Sequence, residues 1–280
     1  MKRIVSIQDF SCIGKCSQSI ALPVLSAMGL ECAALPTVLL SAHTAFDGFY
    51  SRELTDSIEP ITGHWKRLGV RFDTVYTGYL GSEAQVALVE QVIADFAAAL
   101  VFVDPVMADH GKLYPGFAPD FPARMKELCR RADVITPNVT EACLLTGENY
   151  CERHGEGFVR ALLEKLLLLG AKTAIVTGIR MDENHMGVAA MDAAGRFSLH
   201  NTEFIPSVFY GTGDLFASTC AGALTLGMPA PAAIALAADY VVKTIRVTAQ
   251  DSDARWYGVN FEQTLPYLMA RLGMVEENMK

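Results

Sequence analysis

A chain of 280 residues, 51% of them hydrophobic, has ample material for a large buried core and the length of one big α/β domain or two small ones. Its formal net charge of −8 and the lack of a basic stripe exclude nucleic acid as a main partner, because phosphate backbones reward clustered Lys and Arg. The densest basic cluster, Lys126, Arg130 and Arg131, reads as one solvated helix face.

Met1-Lys2-Arg3 leads straight into a short strand at 4–7 rather than into the longer apolar run of a secretory signal. No stretch reaches the roughly 20 apolar residues of a membrane helix. The seven cysteines are scattered, and Cys12 and Cys16, the one close pair, lack the two-by-two spacing of a zinc site. The six histidines form no HExxH-like cluster. The expectation is a reduced, cytoplasmic protein with no structural metal and no membrane partner.

Runs rich in Val, Ile and Thr at 4–7, 32–38, 74–78, 100–103, 134–136 and 173–177 predict strands, with helical stretches such as 82–97 and 158–169 between them. In the second helix Phe158, Val159, Leu162, Leu163, Leu166 and Leu167 repeat at helical spacing, and Gly170 supplies the stop. Such alternation predicts an α/β fold, a mostly parallel central sheet with helices on both faces. Runs at 185–191 and 196–204 flank Asp192-Ala193-Ala194-Gly195 and read as an antiparallel hairpin. Helices at 214–226, 229–250 and 261–272 follow, and with no linker or repeat a single domain over 1–280 is expected.

Ligands of open parallel sheets collect at the carboxyl ends of the strands. At those ends stand Asp9 with the Gly14-Lys15 loop, Ser41-Ala42-His43-Thr44, Gly78-Tyr79, Asp104-Pro105, Pro137-Asn138 and Gly178. The sharpest signal is Gly211-Thr212-Gly213-Asp214 directly before a helix. Its glycines let a ligand approach the backbone, and N–H groups at a helix start cradle an anion. A carboxylate in the same place takes a proton from an attacking hydroxyl. A plain glycine turn with Asp in the first helical turn explains these four residues equally well. Gly14-Lys15-Cys16-Ser17 is not a P-loop, which needs Gly at Asp9 and Ser or Thr at Cys16, and there is no GxGxxG fingerprint.

Asp104 with Asp109, and Asn138 with Glu141, are candidates to hold a hydrated magnesium ion, which takes few protein ligands. Taken singly, N-capping by Asn138 or Thr140 is the better account. Beside the Gly-Thr-Gly-Asp loop, the balance moves to a metal site with Asp109 and Glu141.

In this order the motifs resemble the pyridoxal kinases of the ribokinase superfamily, across essentially the whole chain. Ile7-Gln8 before a glycine loop, Ser41-Ala42-His43-Thr44, Thr77-Gly78-Tyr79, Asp104-Pro105-Val106-Met107, Thr136-Pro137-Asn138 with Glu141, and Gly211-Thr212-Gly213-Asp214 carry the likeness. The resemblance implies a ribokinase-like three-layer fold and ATP-dependent phosphorylation of the 5′-hydroxymethyl group of vitamin B6 vitamers. It further implies Mg2+, a monovalent cation such as K+, and a homodimer. Asp214 would be the base, with Gly211, Thr212 and Gly213 as the anion hole. Asp104, Thr136, Asn138, Glu141 and Thr177 would line the ATP–magnesium side. Asp9, Ser41, His43, Thr44, Tyr79 and Asp214 would face the acceptor.

Three departures lie on the acceptor side: Asp9 where family members carry Ser, Ala42 for Asn, and Gly14-Lys15-Cys16-Ser17-Gln18 for a Gly-x-x-Gly-Asn end. A buried Asp9 would pair with a protonated ring nitrogen, whereas an outward one would cap the Gly14 loop. The alternatives in function are a hydroxymethylpyrimidine or sugar kinase of the same superfamily, and a non-catalytic B6-binding protein on a kinase scaffold. Asp214 speaks against the last, since a pure binder needs no base beside an anion hole.

Overall fold

A computed structural model describes residues 1–206 and 209–275. In chain order the elements are β1 (Arg3–Ser11), α1 (Gln18–Ala27), β2 (Glu31–Leu40), β3 (Ser51–Glu53), α2 (Thr55–Arg67), β4 (Thr74–Thr77), α3 (Glu83–Phe96) and β5 (Leu100–Val103). Then come β6 (Ala108–Asp109), β7 (Lys112–Leu113), α4 (Phe121–Cys129), β8 (Val134–Ile135), α5 (Val139–Thr146), α6 (Glu156–Leu167) and β9 (Thr173–Arg180). The chain closes with β10 (His185–Asp192), β11 (Phe197–Glu203), α7 (Thr212–Leu226), α8 (Ala230–Gln250) and α9 (Phe261–Arg271).

Nine strands form one sheet in the order β11-β10-β9-β8-β5-β4-β1-β2-β3, and β6 and β7 pair separately. The six strands from β9 to β2 run parallel, while β10, β11 and β3 are antiparallel edges. Strand residues alternate between two apolar layers, as a sheet covered on both faces requires. Val5, Ile7, Val75, Val103 and Ile135 pack against α2 to α6. Ile4, Tyr76, Phe102, Val134 and Ile175 pack against α1, α7, α8 and α9. The three layers and the hairpin at 185–204 agree with the sequence reading. Among the described residues no helix is long and apolar enough to cross a membrane.

Two site residues sit differently from expectation. Asp9 does not follow the first strand but lies inside it, because β1 continues to Ser11. Its neighbour β2 gains a residue opposite, with Gln8 level with Pro36 and Phe10 level with Leu39. Thr177 is likewise interior to β9, where Val176 faces Ala189 and Ile179 faces Gly187. That bulge is made by Gly178, whose φ of 72° is the left-handed turn glycine allows. Bulges re-aim side chains beside active sites, and both lie at the ligand edge of the sheet.

Candidate active site

From β1 the chain passes through α1 to β2 on one side, then crosses to β4 on the other. That reversal opens a crevice at the carboxyl ends of β1 and β4, where open α/β sheets bind ligands. Backbone bonds join the strand mouths into a row. The Asp104 N–H donates to the Thr77 carbonyl, Thr136 to Val103 and Thr177 to Pro137, each at 3.0 Å.

Over this row stands the N-terminus of α7, a helix of 15 residues capped by Gly211, which has no side chain to bond the first turn. Those N–H groups, with the helix dipole behind them, are left for an anion. Gly211 is required twice over: its φ is 81°, and a Cβ would lie 2.0 Å from the Lys15 carbonyl oxygen. Gly213 is required by neither constraint, since a Cβ there would meet nothing within 4 Å among the described residues. Open space beside Gly213 is what an approaching phosphate needs.

Asp214 is partly exposed at the helix start. Burial, then the charge of Asp9, raise its pKa to about 7, against the Ser17 backbone N–H and its own N–H, which stabilise the ionised form. Asp9 is itself 4% exposed, so the outward-turned alternative does not hold. Burial raises its pKa too, and the hydroxyls of Ser17 and Ser11 oppose that rise. Ser17 adopts φ 48° and ψ −125°, a conformation costly for any residue but glycine and concentrated at functional sites.

On the other flank Asn138 caps α5 in a complete capping box. Its Oδ1 accepts the Glu141 N–H at 2.9 Å, and Glu141 Oε2 accepts the Asn138 N–H at 2.9 Å. Glu141 Oε1 also accepts the Met107 N–H at 3.0 Å, which ties the loop after Asp104 to the cap. Capping and a ligand-side role therefore coincide in these residues. Burial raises the Glu141 pKa to about 8 against those backbone donors. Burial, then Glu141 and Asp214, hold the Asp104 carboxyl well above its ordinary value. The charged neighbours acting on Asp104 and Asp214 are all carboxylates. Thr77 Oγ1 and Thr136 Oγ1, at the ends of the strands on either side of β5, are buried with no hydrogen-bond partner among the described residues. Excess negative charge with orphaned hydroxyls is a donor set that suits a hard cation.

Among the described residues no three His, Cys, Asp or Glu side chains gather at metal-binding spacing. Asp109 is half exposed, its carboxylate accepting the His110 N–H at 2.7 Å, and it acts on Glu141 only through its charge. Of the acceptor-side candidates, Tyr79 is half-buried and near enough to Asp9 for that charge to raise its pKa, after burial. His43 is buried, its Nδ1 accepting the Ala45 N–H at 3.2 Å, which leaves Nε2–H to donate to the Tyr257 carbonyl at 2.9 Å. Ser41 and Thr44 are exposed, and the Ser41 hydroxyl oxygen accepts the Tyr50 N–H within its own loop. Lys15 points away from the cradle and pairs with Glu262 at 2.8 Å and Asn260 at 3.2 Å, in keeping with the failed P-loop match. Sequence reasoning quoted Ser17 and Thr77 within motifs without giving either a role, and missed the segment around Tyr257. Nothing local marks a strained serine or an orphaned threonine.

On this fold, an uncapped helix start beside a partly buried proton acceptor, without a P-loop, defines a ribokinase-like kinase. The Phosphomethylpyrimidine kinase family model matches residues 66–256. A pyridoxal kinase of Rubrobacter xylanophilus is 34% identical over 259 residues, 88% of this chain and 87% of its own length. The chain belongs to the pyridoxal kinase family. The crystal structure of Lactobacillus plantarum pyridoxal kinase superposes with a TM-score of 0.88 at 33% identity, over 96% of this chain and 97% of that one. A Bacteroides thetaiotaomicron protein, described under the phosphomethylpyrimidine kinase heading and crystallised with pyridoxal, gives 0.91 at 35% identity over 95% of each chain.

Proposed function

We propose that this chain transfers the γ-phosphoryl group of ATP to the 5′-hydroxymethyl group of pyridoxal, pyridoxamine or pyridoxine. The observation that carries the reading is Asp214, a carboxylate with a pKa raised to about 7 at the uncapped start of α7. A base poised near neutral pH is what such a step asks for. The acceptor oxygen attacks the γ-phosphorus as the bond to the ADP leaving oxygen breaks, and Asp214 takes the hydroxyl proton. Backbone N–H groups of Thr212, Gly213 and Asp214 stabilise charge on the transferring group, the preorganised electrostatic contribution. Glu141, with the buried Asp104 in place of the half-exposed Asp109, would hold Mg2+, with Thr136 and Thr177 toward the phosphates and K+ as a further cation. The bound ion supplies charge neutralisation on the phosphates. Asp9 and Tyr79 line the acceptor side, where Asp9 pairs with a protonated ring nitrogen.

A second acceptor, hydroxymethylpyrimidine, is favoured by the description of the matching family model. Turnover of ATP with each vitamer, hydroxymethylpyrimidine and a sugar, with and without Mg2+, tests both readings. Vitamer phosphorylation that needs Mg2+ is expected, and turnover of the pyrimidine or sugar alone overturns the assignment. The reading includes one domain over 1–280, a cytoplasmic location and a homodimer. Leu39, Phe49 and Tyr50, exposed by 36%, 36% and 61% along the β2–β3 edge, support the homodimer, and sedimentation velocity tests it.

A further inference from the structure

Five aromatic rings from three distant segments meet above the mouths of β1 and β2. Phe46 and Trp256 lie 4.6 Å apart between centroids, His43 and Tyr210 5.0 Å, His43 and Trp256 6.0 Å, and Tyr210 and Trp256 6.2 Å. Tyr257 completes the set at 5.5 Å from Phe46. The segment bearing Trp256 is fastened down. Lys15 bonds Asn260 and Glu262, the Asn260 N–H donates to Thr248 Oγ1 at 2.8 Å, and the Tyr257 carbonyl receives His43. Gly258 lies so close that a Cβ would come within 2.4 Å of the Lys15 Cβ. Trp256 is nevertheless 57% exposed and Tyr210 39% exposed. A held indole left in water is apolar surface that asks for an occupant.

The position says which occupant. Tyr210 directly precedes Gly211 of the phosphate cradle. The His43 ring packs on Gly14, in the loop that follows the strand bearing Asp9. The cluster therefore stands over β1 and β2, while Asp104, Thr136 and Thr177 lie toward β5, β8 and β9. We propose that Trp256, with Tyr210 and Phe46, is a specificity-determining wall of the acceptor pocket that selects alcohols bearing a flat aromatic ring. The inference rests on the reading of a B6-type acceptor and adds residues from the C-terminal segment to its recognition. Stacking on the indole face favours a planar heteroaromatic ring over a sugar, which has no π-face.

The chain has two tryptophans, and Trp65 packs in the core beside Phe72, so Trp65→Phe leaves Trp256 as the only indole reporter. Saturable quenching of Trp256 emission by the acceptor, and none by ATP alone, is expected. In the otherwise unaltered chain, Trp256→Ala is expected to raise KM for the acceptor about three- to tenfold, the size of one aromatic contact. In that variant kcat and KM for ATP hold steady, and Trp256→Phe restores most of the loss. An unchanged acceptor KM in Trp256→Ala overturns the inference even while the vitamers remain substrates. If the unaltered chain turns over no vitamer, the B6 reading fails separately. The same titration then runs with whichever alcohol is accepted: quenching by a pyrimidine alcohol supports the wall, and preference for a sugar overturns it.

Discussion

Asp9 and Asp214 stand on either side of Ser17, which turns its hydroxyl to the first and its backbone N–H to the second. Burial first, and then the charge of Asp9, raise the Asp214 pKa and so keep a proton acceptor there near neutrality. The strained Ser17 backbone serves both groups at once.

Asp214→Asn removes the acceptor and leaves the helix-start donors in place. Phosphoryl transfer is expected to fall by about 10²–10⁴, with nucleotide binding kept. Steady-state rates alongside direct nucleotide titration check this, and turnover above about a tenth of the original would refute the assignment of the base.

After burial, the charge of Asp9 is the next influence on where that base titrates. Because Asp214 works ionised, kcat/KM should fall as pH drops below about 7. Asp9→Asn takes away a like charge, lowers the Asp214 pKa and moves this acid limb to lower pH. The same variant is expected to raise KM for pyridoxal more than KM for ATP, with Asp9→Ser the milder change. A pH–rate profile identical to that of the unaltered chain would show that Asp9 does not act on the base.

The two cradle glycines should fail in different ways. Gly211→Ala sets a methyl 2.0 Å from the Lys15 carbonyl at a φ of 81°, so stability is expected to drop by roughly 1–3 kcal/mol. Gly213→Val meets open space, so melting should stay within about 0.5 kcal/mol of the parent while kcat falls at least about 10²-fold. Denaturation and kinetics on the same preparations separate the two, and normal turnover by Gly213→Val would make the loop only a turn.

Buried carboxylates also set the response to pH and Mg2+. Glu141 rises from 4.5 to about 8 on folding, so the fold holds a proton that the unfolded chain releases. The stability it contributes is complete below about pH 4.5 and is lost as pH climbs through about 8. Asp104 acts in the same direction. Without metal, the melting temperature should therefore fall between about pH 5.5 and about pH 8.5. Mg2+ should restore on the order of 2–3 kcal/mol at a hundredfold excess over Kd, chiefly at the upper end. Asp104→Asn should blunt that gain. Equal melting with and without Mg2+ across the range would count against a cation site here.

What the sequence determined by itself is what short-range pattern encodes. Apolar runs with turn residues between them mark the parallel strands. The repeat from Phe158 to Leu167 marks α6, and Gly211-Thr212-Gly213-Asp214 marks a helix start that accepts an anion. Strands of two or three residues, such as β3, β6 and β7, are too short to show a period. Tertiary structure alone decided which groups share an environment. Asp9 became an interior strand residue because β1 runs on to Ser11, and folding alone brings its charge to act on Asp214. Lys15 found Glu262 across 247 positions of chain, bringing Trp256 over His43. The physical reason is that periodicity and turn chemistry act within a few residues, whereas charge coupling, burial and ring packing depend on distances that exist only once the sheet has closed.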